Sequence, residues 1–286
     1  MTLANNIKER IESHTAEKID SLRSAGGGCI SDAQIVKCKS GVSFFLKINN
    51  SSNDMFKKEA NGLKELKKAD AIRVPDVIMA ENNFILLENI IPAGRSKSFF
   101  EEFGEKFAKL HKYTSAKHGF YEDNYIGSTN QVNLPLEDDW KIFYWEKRIL
   151  FQVKLCEQNG YATDELRKSV SGLENKLDDI MADSENTPSL LHGDLWNGNF
   201  VIDDKGEACL IDPAVYYGNR EADLAMTKLF GGFNSEFYQS YRNAFPLPAG
   251  YEIRENFYKL YHVLNHLNIF GRGYYSQAIS LIKYYL

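Results

Sequence analysis

Between Gly26 and Ile90 the apolar residues fall at strand spacing, then helix spacing, then strand spacing again; beyond Pro92-Ala93-Gly94 they fall at helix spacing almost throughout. That change of period constrains the fold more than any other feature. A period of two suits a sheet and a period near 3.6 suits packed helices, so the two stretches build different architectures. "CISDAQIVKCKSGVSFFLKIN" predicts two strands around a turn at Lys39-Ser40-Gly41. "DMFKKEANGLKELKKAD" predicts a helix with Phe56, Ala60, Leu63 and Leu66 on one face. "VPDVIMAENNFILLENI" predicts two more strands with a turn at Glu81-Asn82-Asn83. Ahead of them, Ile7, Ile11, Ile19 and Leu22 predict an amphipathic helix over 5–23, ended by Gly26-Gly27-Gly28.

After residue 92 the pattern predicts helices over "FFEEFGEKFAKLHKYT", "WKIFYWEKRILFQVKLCEQN" and "DELRKSVSGLENKLDDIMAD", and an aromatic-rich, mostly helical stretch from Asp223 onward. The expected class is α+β with two lobes. Residues 1–91 form a small N-terminal lobe of mixed β-sheet with a helix, and residues 92–286 form a larger, mainly helical lobe.

Charge bears on what such a chain binds. The 286 residues carry a formal net charge of −5, so no global basic field points to nucleic acid or an anionic membrane, and any phosphate must be held by a local site. No apolar run approaches the ~18 residues a membrane span needs, and "MTLANNIKERIESH" is too charged for a secretory signal. Cys29, Cys38, Cys156 and Cys209 have neither zinc nor redox-pair spacing, which suits a reducing, cytoplasmic setting. The expected assembly is a monomer or weak dimer.

The chemistry concentrates in "SLLHGDLWNGNF" and "CLIDP". Asp194 and Asn199 are five residues apart, Asp212 follows thirteen residues later, and apolar residues flank both clusters. Two short strands joined by a turn would hold the loop His192–Asn199 beside Asp212. Phosphoryl transfer needs these groups: Asp194 to accept the proton of the attacking hydroxyl, and Asn199 with Asp212 to hold Mg²⁺. The first lobe then holds ATP. Gly26, Gly27, Gly28, Cys29, Ile30 and Ser31 let backbone N–H groups approach phosphates. Lys47, mid-strand among apolar residues, needs an anionic partner, and Glu59 on the next helix supplies it. The stretch from Glu88 to Ile90 ends the last strand of this lobe and offers backbone groups to adenine.

The order of glycine-rich loop, strand lysine, helix glutamate, hinge, HGDxxxxN and aspartate resembles the protein-kinase-like fold. More narrowly, the chain resembles the fructosamine kinase (ketosamine-3-kinase) family. The resemblance rests on "GGGCISDA" (26–33), "FKKEANGL" (56–63), "DNYIGSTNQVN" (123–133), "DDWKIFYWEKRI" (138–149), "HGDLWNGN" (192–199) and "IDPAVYYGNREADLAM" (211–226). It implies an ATP- and Mg²⁺-dependent kinase for the sugar 3-hydroxyl of ketosamines, whose unstable product sheds the sugar and frees the amine. The loop is GGGxxS and no arginine precedes Asp194, which departs from protein kinases and favours a small-molecule acceptor. Aminoglycoside- or choline-type phosphotransfer on the same fold, and a non-catalytic nucleotide-binding pseudokinase, are the alternatives.

Trp196, between base and metal ligand, is expected to wall the acceptor pocket, with Asp139 and Trp140 as further candidates. His192 is expected beneath the loop as a hydrogen-bonding residue. His262 and His266, four apart on an aromatic helix, are expected in the core and not as a metal pair. Arg220, Glu221 and Asp223 are expected as a buried ion network below the metal loop. Cys29, in the phosphate loop near Lys47, would have a lowered thiol pKa if exposed.

Overall fold

A computed structural model describes residues 4–25, 32–49 and 53–286. The chain divides into two compact units, one of residues 1–99 with 201–212, the other of residues 100–200 with 213–286.

The first unit opens with helix α1 (Asn5–Thr15) and strand β1 (Ile19–Ser24), where the sequence predicts one helix. Ala16 adopts a left-handed conformation (φ 57°) that stops the helix, and Glu12 Oε1 accepts a hydrogen bond from Ile19 N at 3.0 Å. The chain therefore reverses into a strand, and Ile19 still reaches the core. Strands β2 (Asp32–Cys38) and β3 (Ser43–Ile48), helix α2 (Met55–Lys68), and strands β4 (Val77–Ala80) and β5 (Phe84–Glu88) follow the predicted order. The five strands pair antiparallel in the order β1-β2-β3-β5-β4.

Strand alternation sorts the faces of this sheet. Phe44 and Leu46 of β3 join Ile7, Ile11, Ile19, Val36, Phe84 and Leu86 in one apolar cluster under α1. Phe45 and Lys47 take the opposite face, across from Leu87 and Ile85. The sequence thus places a lysine in the middle of a sheet, on the face where Glu59 of α2 meets it.

The second unit is mainly helical. Helix α3 (Phe99–His111) leads into the short strands β6 (Asn124–Ile126) and β7 (Thr129–Gln131). Helix α4 (Trp140–Tyr144) runs through a π-helical segment, Trp145–Leu150, into α5 (Phe151–Gln158). The next predicted helix is split into α6 (Asp164–Glu174) and α7 (Leu177–Met181), the break falling at Asn175-Lys176. Short strands β8 (Ser189–Leu191) and β11 (Tyr216–Gly218) belong to this unit, whereas β9 (Phe200–Ile202), apart from Phe200, and β10 (Ala208–Leu210) belong to the first. β8 pairs with β11, and β9 with β10. Helices α8 (Arg220–Leu229), α9 (Ser235–Ala244), α10 (Tyr251–Phe270) and α11 (Tyr275–Lys283) complete the chain. Among the described residues no helix is long and apolar enough to cross a membrane.

Within the first unit, the β9–β10 turn is fastened to Arg73. Leu210 N donates to the Arg73 carbonyl at 2.8 Å, and the Arg73 guanidinium holds Asp203, Asp204 and Glu88 at 2.8, 2.6 and 2.6 Å. That attachment brings Asp212, late in the sequence, to strand β3.

Candidate active site

In the first unit the Lys47 ammonium donates to Glu59 Oε1 at 2.7 Å and to Asp212 Oδ1. Its side chain is buried. Burial opposes the charge, but the attraction of Glu59 and Asp212 outweighs it and raises the lysine pKa, so Lys47 remains a cation throughout the neutral range. Asp212 has φ 54°, a left-handed conformation unfavourable for a residue with a Cβ, and its side chain is 43% exposed. A buried cation thus holds a strained, solvent-facing carboxylate in place, a common feature of functional positions.

In the second unit the loop His192–Asn199 follows β8. His192 is fully buried and its Nδ1 accepts a bond from Asp194 N at 3.2 Å. Asn199 Nδ2 donates to the Asp194 carbonyl at 2.7 Å and to Asp194 Oδ2 at 3.1 Å. The amide of Asn199 therefore aims the carboxylate of Asp194, and its own carbonyl oxygen remains as the atom able to ligate a hard cation. Gly193 has φ 82°, and a Cβ there would lie 2.0 Å from the Ala214 carbonyl oxygen. Only glycine permits that approach. At Gly198 a Cβ would lie 2.4 Å from the Trp196 ring, so the missing side chain leaves room for the indole.

The loop is anchored from below by Asp223 on α8. Its two carboxylate oxygens accept His192 N at 2.7 Å and Gly193 N at 2.8 Å, while His111 Nε2 lies 3.4 Å away. Burial raises the Asp223 pKa, but His111 and the backbone donors outweigh it, and the net shift is downward. Arg220, Glu221 and Asp223 are all buried, but they do not pair with one another. Arg220 binds Glu185 at 2.8 Å, and Glu221 binds Arg254 at 2.7 Å.

The remaining predicted residues fall in several places. Trp196 is 37% exposed, with its ring edge-on to Phe230 at 5.9 Å. Trp140 is not available to a ligand. It is 2% exposed, stacks on Tyr216 and donates Nε1–H to Tyr258 at 3.0 Å. Asp139 caps α4, its Oδ1 accepting Ile142 N at 2.9 Å. Glycine, tyrosine and tryptophan are so closely packed here that the aromatic signal at 140 marks core and not pocket. Glu88 turns its carboxylate to Arg73, and its N–H donates to the Asp76 carbonyl at 2.8 Å. Ile90 is half-buried just beyond β5. Gly26, Gly27, Gly28, Cys29, Ile30 and Ser31 lie outside the described residues.

One neighbour of Asp194 has no sequence signature. His262 on α10 is buried, and its Nδ1 lies 4.0 Å from Asp194 Oδ1. Burial pushes its pKa down to about 3, so it stands beside the carboxylate as a neutral ring. His266 Nδ1 donates to the His262 carbonyl at 2.8 Å, which binds the two histidines along the helix and not around a metal.

The sequence profile of the fructosamine kinase family matches residues 3–286, the same span that carries both sets of side chains. The chain belongs to the fructosamine kinase family. It is 41% identical over 279 residues to the protein-ribulosamine 3-kinase, chloroplastic, of Oryza sativa subsp. indica, covering 95% of this chain and 80% of that one. The structure superposes on that of a Thermobifida fusca protein assigned as a fructosamine-3-kinase, with a TM-score of 0.89, 28% identity and 99% of each chain covered. An ADP-bound aminoglycoside phosphotransferase matches with a TM-score of 0.63 at 16% identity, over 99% of this chain and 98% of that one. At that identity the likeness shows the fold alone: a kinase-like fold with a sheet-bearing N-terminal part and a helical C-terminal part.

Proposed function

We propose that this fructosamine kinase family member transfers the γ-phosphoryl group of ATP to the sugar 3-hydroxyl of ketosamines, the rearranged adducts of reducing sugars with amines. The observation that carries the reading is the aimed carboxylate of Asp194, held by Asn199 Nδ2 at 3.1 Å within a loop pinned by Asp223. A carboxylate so placed accepts the proton of the acceptor hydroxyl as its oxygen attacks phosphorus and ADP leaves. Lys47, kept cationic by two carboxylates, supplies the positive charge for the nucleotide phosphates. Asn199 and Asp212 offer a carbonyl and a carboxylate oxygen, the hard donors Mg²⁺ takes. Mg²⁺ would neutralise charge on the transferring group. Phosphorylation at the 3-position places a leaving group β to the C2 carbonyl, so the product eliminates phosphate and the amine is released from the sugar fragment.

The test is ADP release from ATP against ribulosamine, fructosamine, choline and kanamycin. A preference for either ketosamine supports the reading; turnover of choline or kanamycin alone refutes it. Asp194→Asn should retain ATP binding while turnover falls about 10²–10⁴-fold, the usual contribution of a positioned acid–base group. Unchanged turnover would remove Asp194 from the mechanism.

A further inference from the structure

His262 on α10 carries a buried polar atom that the fold leaves unsatisfied. The residue is 2% exposed, and among the described residues its Nδ1 has no hydrogen-bond partner. An unsatisfied buried polar atom destabilises a fold, so its presence calls for a reason. Nδ1 faces the Asp194 carboxylate, whose Oδ1 lies 4.0 Å away, about 1 Å beyond hydrogen-bond length. A carboxylate only accepts, so the nitrogen facing it carries the proton and the ring is the Nδ1–H tautomer. Burial keeps that ring neutral, with His266 and Arg148 acting the same way and Asp223 against.

The ring is rigidly mounted. Leu260, Tyr261, Val263 and Leu264 around it are buried. Tyr261 Oη donates to Gln131 Oε1 at 2.8 Å, and the His262 carbonyl accepts His266 Nδ1–H at 2.8 Å. Asp194 is the member with room to turn, since its side chain is 20% exposed.

We propose that His262 is a positioning residue for the base: its Nδ1–H donates to Asp194 Oδ1 in the reacting complex, opposite the Asn199 amide on Oδ2. The inference rests on the kinase reading above, in which Asp194 is the base, and adds the group that fixes its second oxygen. A turn of the Asp194 side chain that carries Oδ1 about 1 Å toward Nδ1 makes the bond. Hydrogen bonds of this kind are often long before the acceptor binds and tighten with it. Each carboxylate oxygen has two lone pairs. The two donors take one on each, and the acceptor hydroxyl takes one of those that remain. A neutral donor suits this task. A cation in the same place would hold the carboxylate in its charged form and weaken it as a base, whereas a neutral N–H fixes its direction at a smaller loss of basicity. Because the bond forms only in the reacting complex, it is felt in kcat and not in the binding of ATP.

Two replacements separate a donor from a filler of space. Asparagine keeps an N–H near the position of Nδ1, and leucine fills the volume with no donor. ADP release is measured with ribulosamine and fructosamine as acceptors. His262→Leu should lower kcat about 10–100-fold, as a base displaced by about 1 Å would, with KM for ATP nearly unchanged. His262→Asn should recover most of that loss. If the ring merely packed the core, leucine would be the better substitute and asparagine the worse, the reverse order. In an Asp194→Asn background, His262→Leu should cause little further loss, because the group it positions is gone. Parent kcat in His262→Leu, no recovery in His262→Asn, or an undiminished further loss in the Asp194→Asn background overturns the positioning role while the kinase reading stands. A parent protein that phosphorylates neither ketosamine sinks both together.

Discussion

Replacing Asp223 with asparagine tests whether the carboxylate below the loop sets the position of Asp194. The two oxygens of Asp223 each accept a backbone N–H, from His192 and from Gly193. Asparagine keeps one acceptor and turns an NH₂ group toward the other N–H. One charge-assisted hydrogen bond is lost and two donors face each other in a buried site. The cost is about 1.5–3 kcal/mol, the range for hydrogen bonds to charged groups. For a chain of this size that corresponds to a fall in Tm of roughly 3–10 °C. Asp194 lies one residue beyond Gly193, so the slack passes directly to the carboxylate. A displacement near 1 Å at a reacting group reduces turnover about 10²-fold. Asp223→Asn is therefore expected to lower kcat by about 10–100-fold at 25 °C, well below its Tm, with KM for ATP nearly unchanged. Differential scanning calorimetry and steady-state ADP release measure the two effects. A variant with lower Tm but the parent's kcat would show that Asp223 braces the fold without setting the base. The parent's values for both would refute the anchor altogether.

Two further outcomes follow from the buried charges. Lys47→Met leaves Glu59 as a buried carboxylate without its cation and should destabilise the first unit by about 3 kcal/mol; adding Glu59→Gln should recover part of that loss, and strictly additive effects in urea unfolding would show that the pair is not coupled. His262 has a folded pKa near 3 against about 6.5 when unfolded, so the unfolded chain binds the extra proton first as pH falls. Its contribution is complete above about pH 6.5 and declines below it, by about 2 kcal/mol at pH 5. Urea unfolding at pH 7.5 and pH 5 should show the loss, His262→Leu should show less of it, and equal losses in both proteins would contradict the buried neutral ring.

Local order was legible wherever neighbours in sequence are neighbours in space. The β2–β3 and β4–β5 turns fall where Lys39-Ser40-Gly41 and Glu81-Asn82-Asn83 place them. Lys47 could be paired with Glu59 because a lysine amid Phe45, Leu46 and Ile48 has to find an anion, and the next helix carries one. The pattern misled where one spacing fits two structures. Ile19 and Leu22 continue a helical stripe from Ile11, yet the left-handed turn at Ala16 makes them strand residues. Aromatic identity misled at Trp140, since an indole can wall a pocket or fill a core, and only the packing of Tyr216 and Tyr258 around it chooses between them.

Taken alone, the sequence determined the switch from strand to helix period, the lysine that needed a carboxylate, and the spacing of Asp194 and Asn199, because each depends on contacts a few residues apart. Tertiary structure decided the rest. Lys47 meets Asp212 across 165 residues, Asp223 reaches back 31 residues to the loop it pins, and His262 reaches Asp194 from a helix near the end of the chain. A spacing rule is silent on such pairs. They form because burying apolar faces brings distant segments together, and a buried polar group must then bond to whichever partner the packing sets beside it.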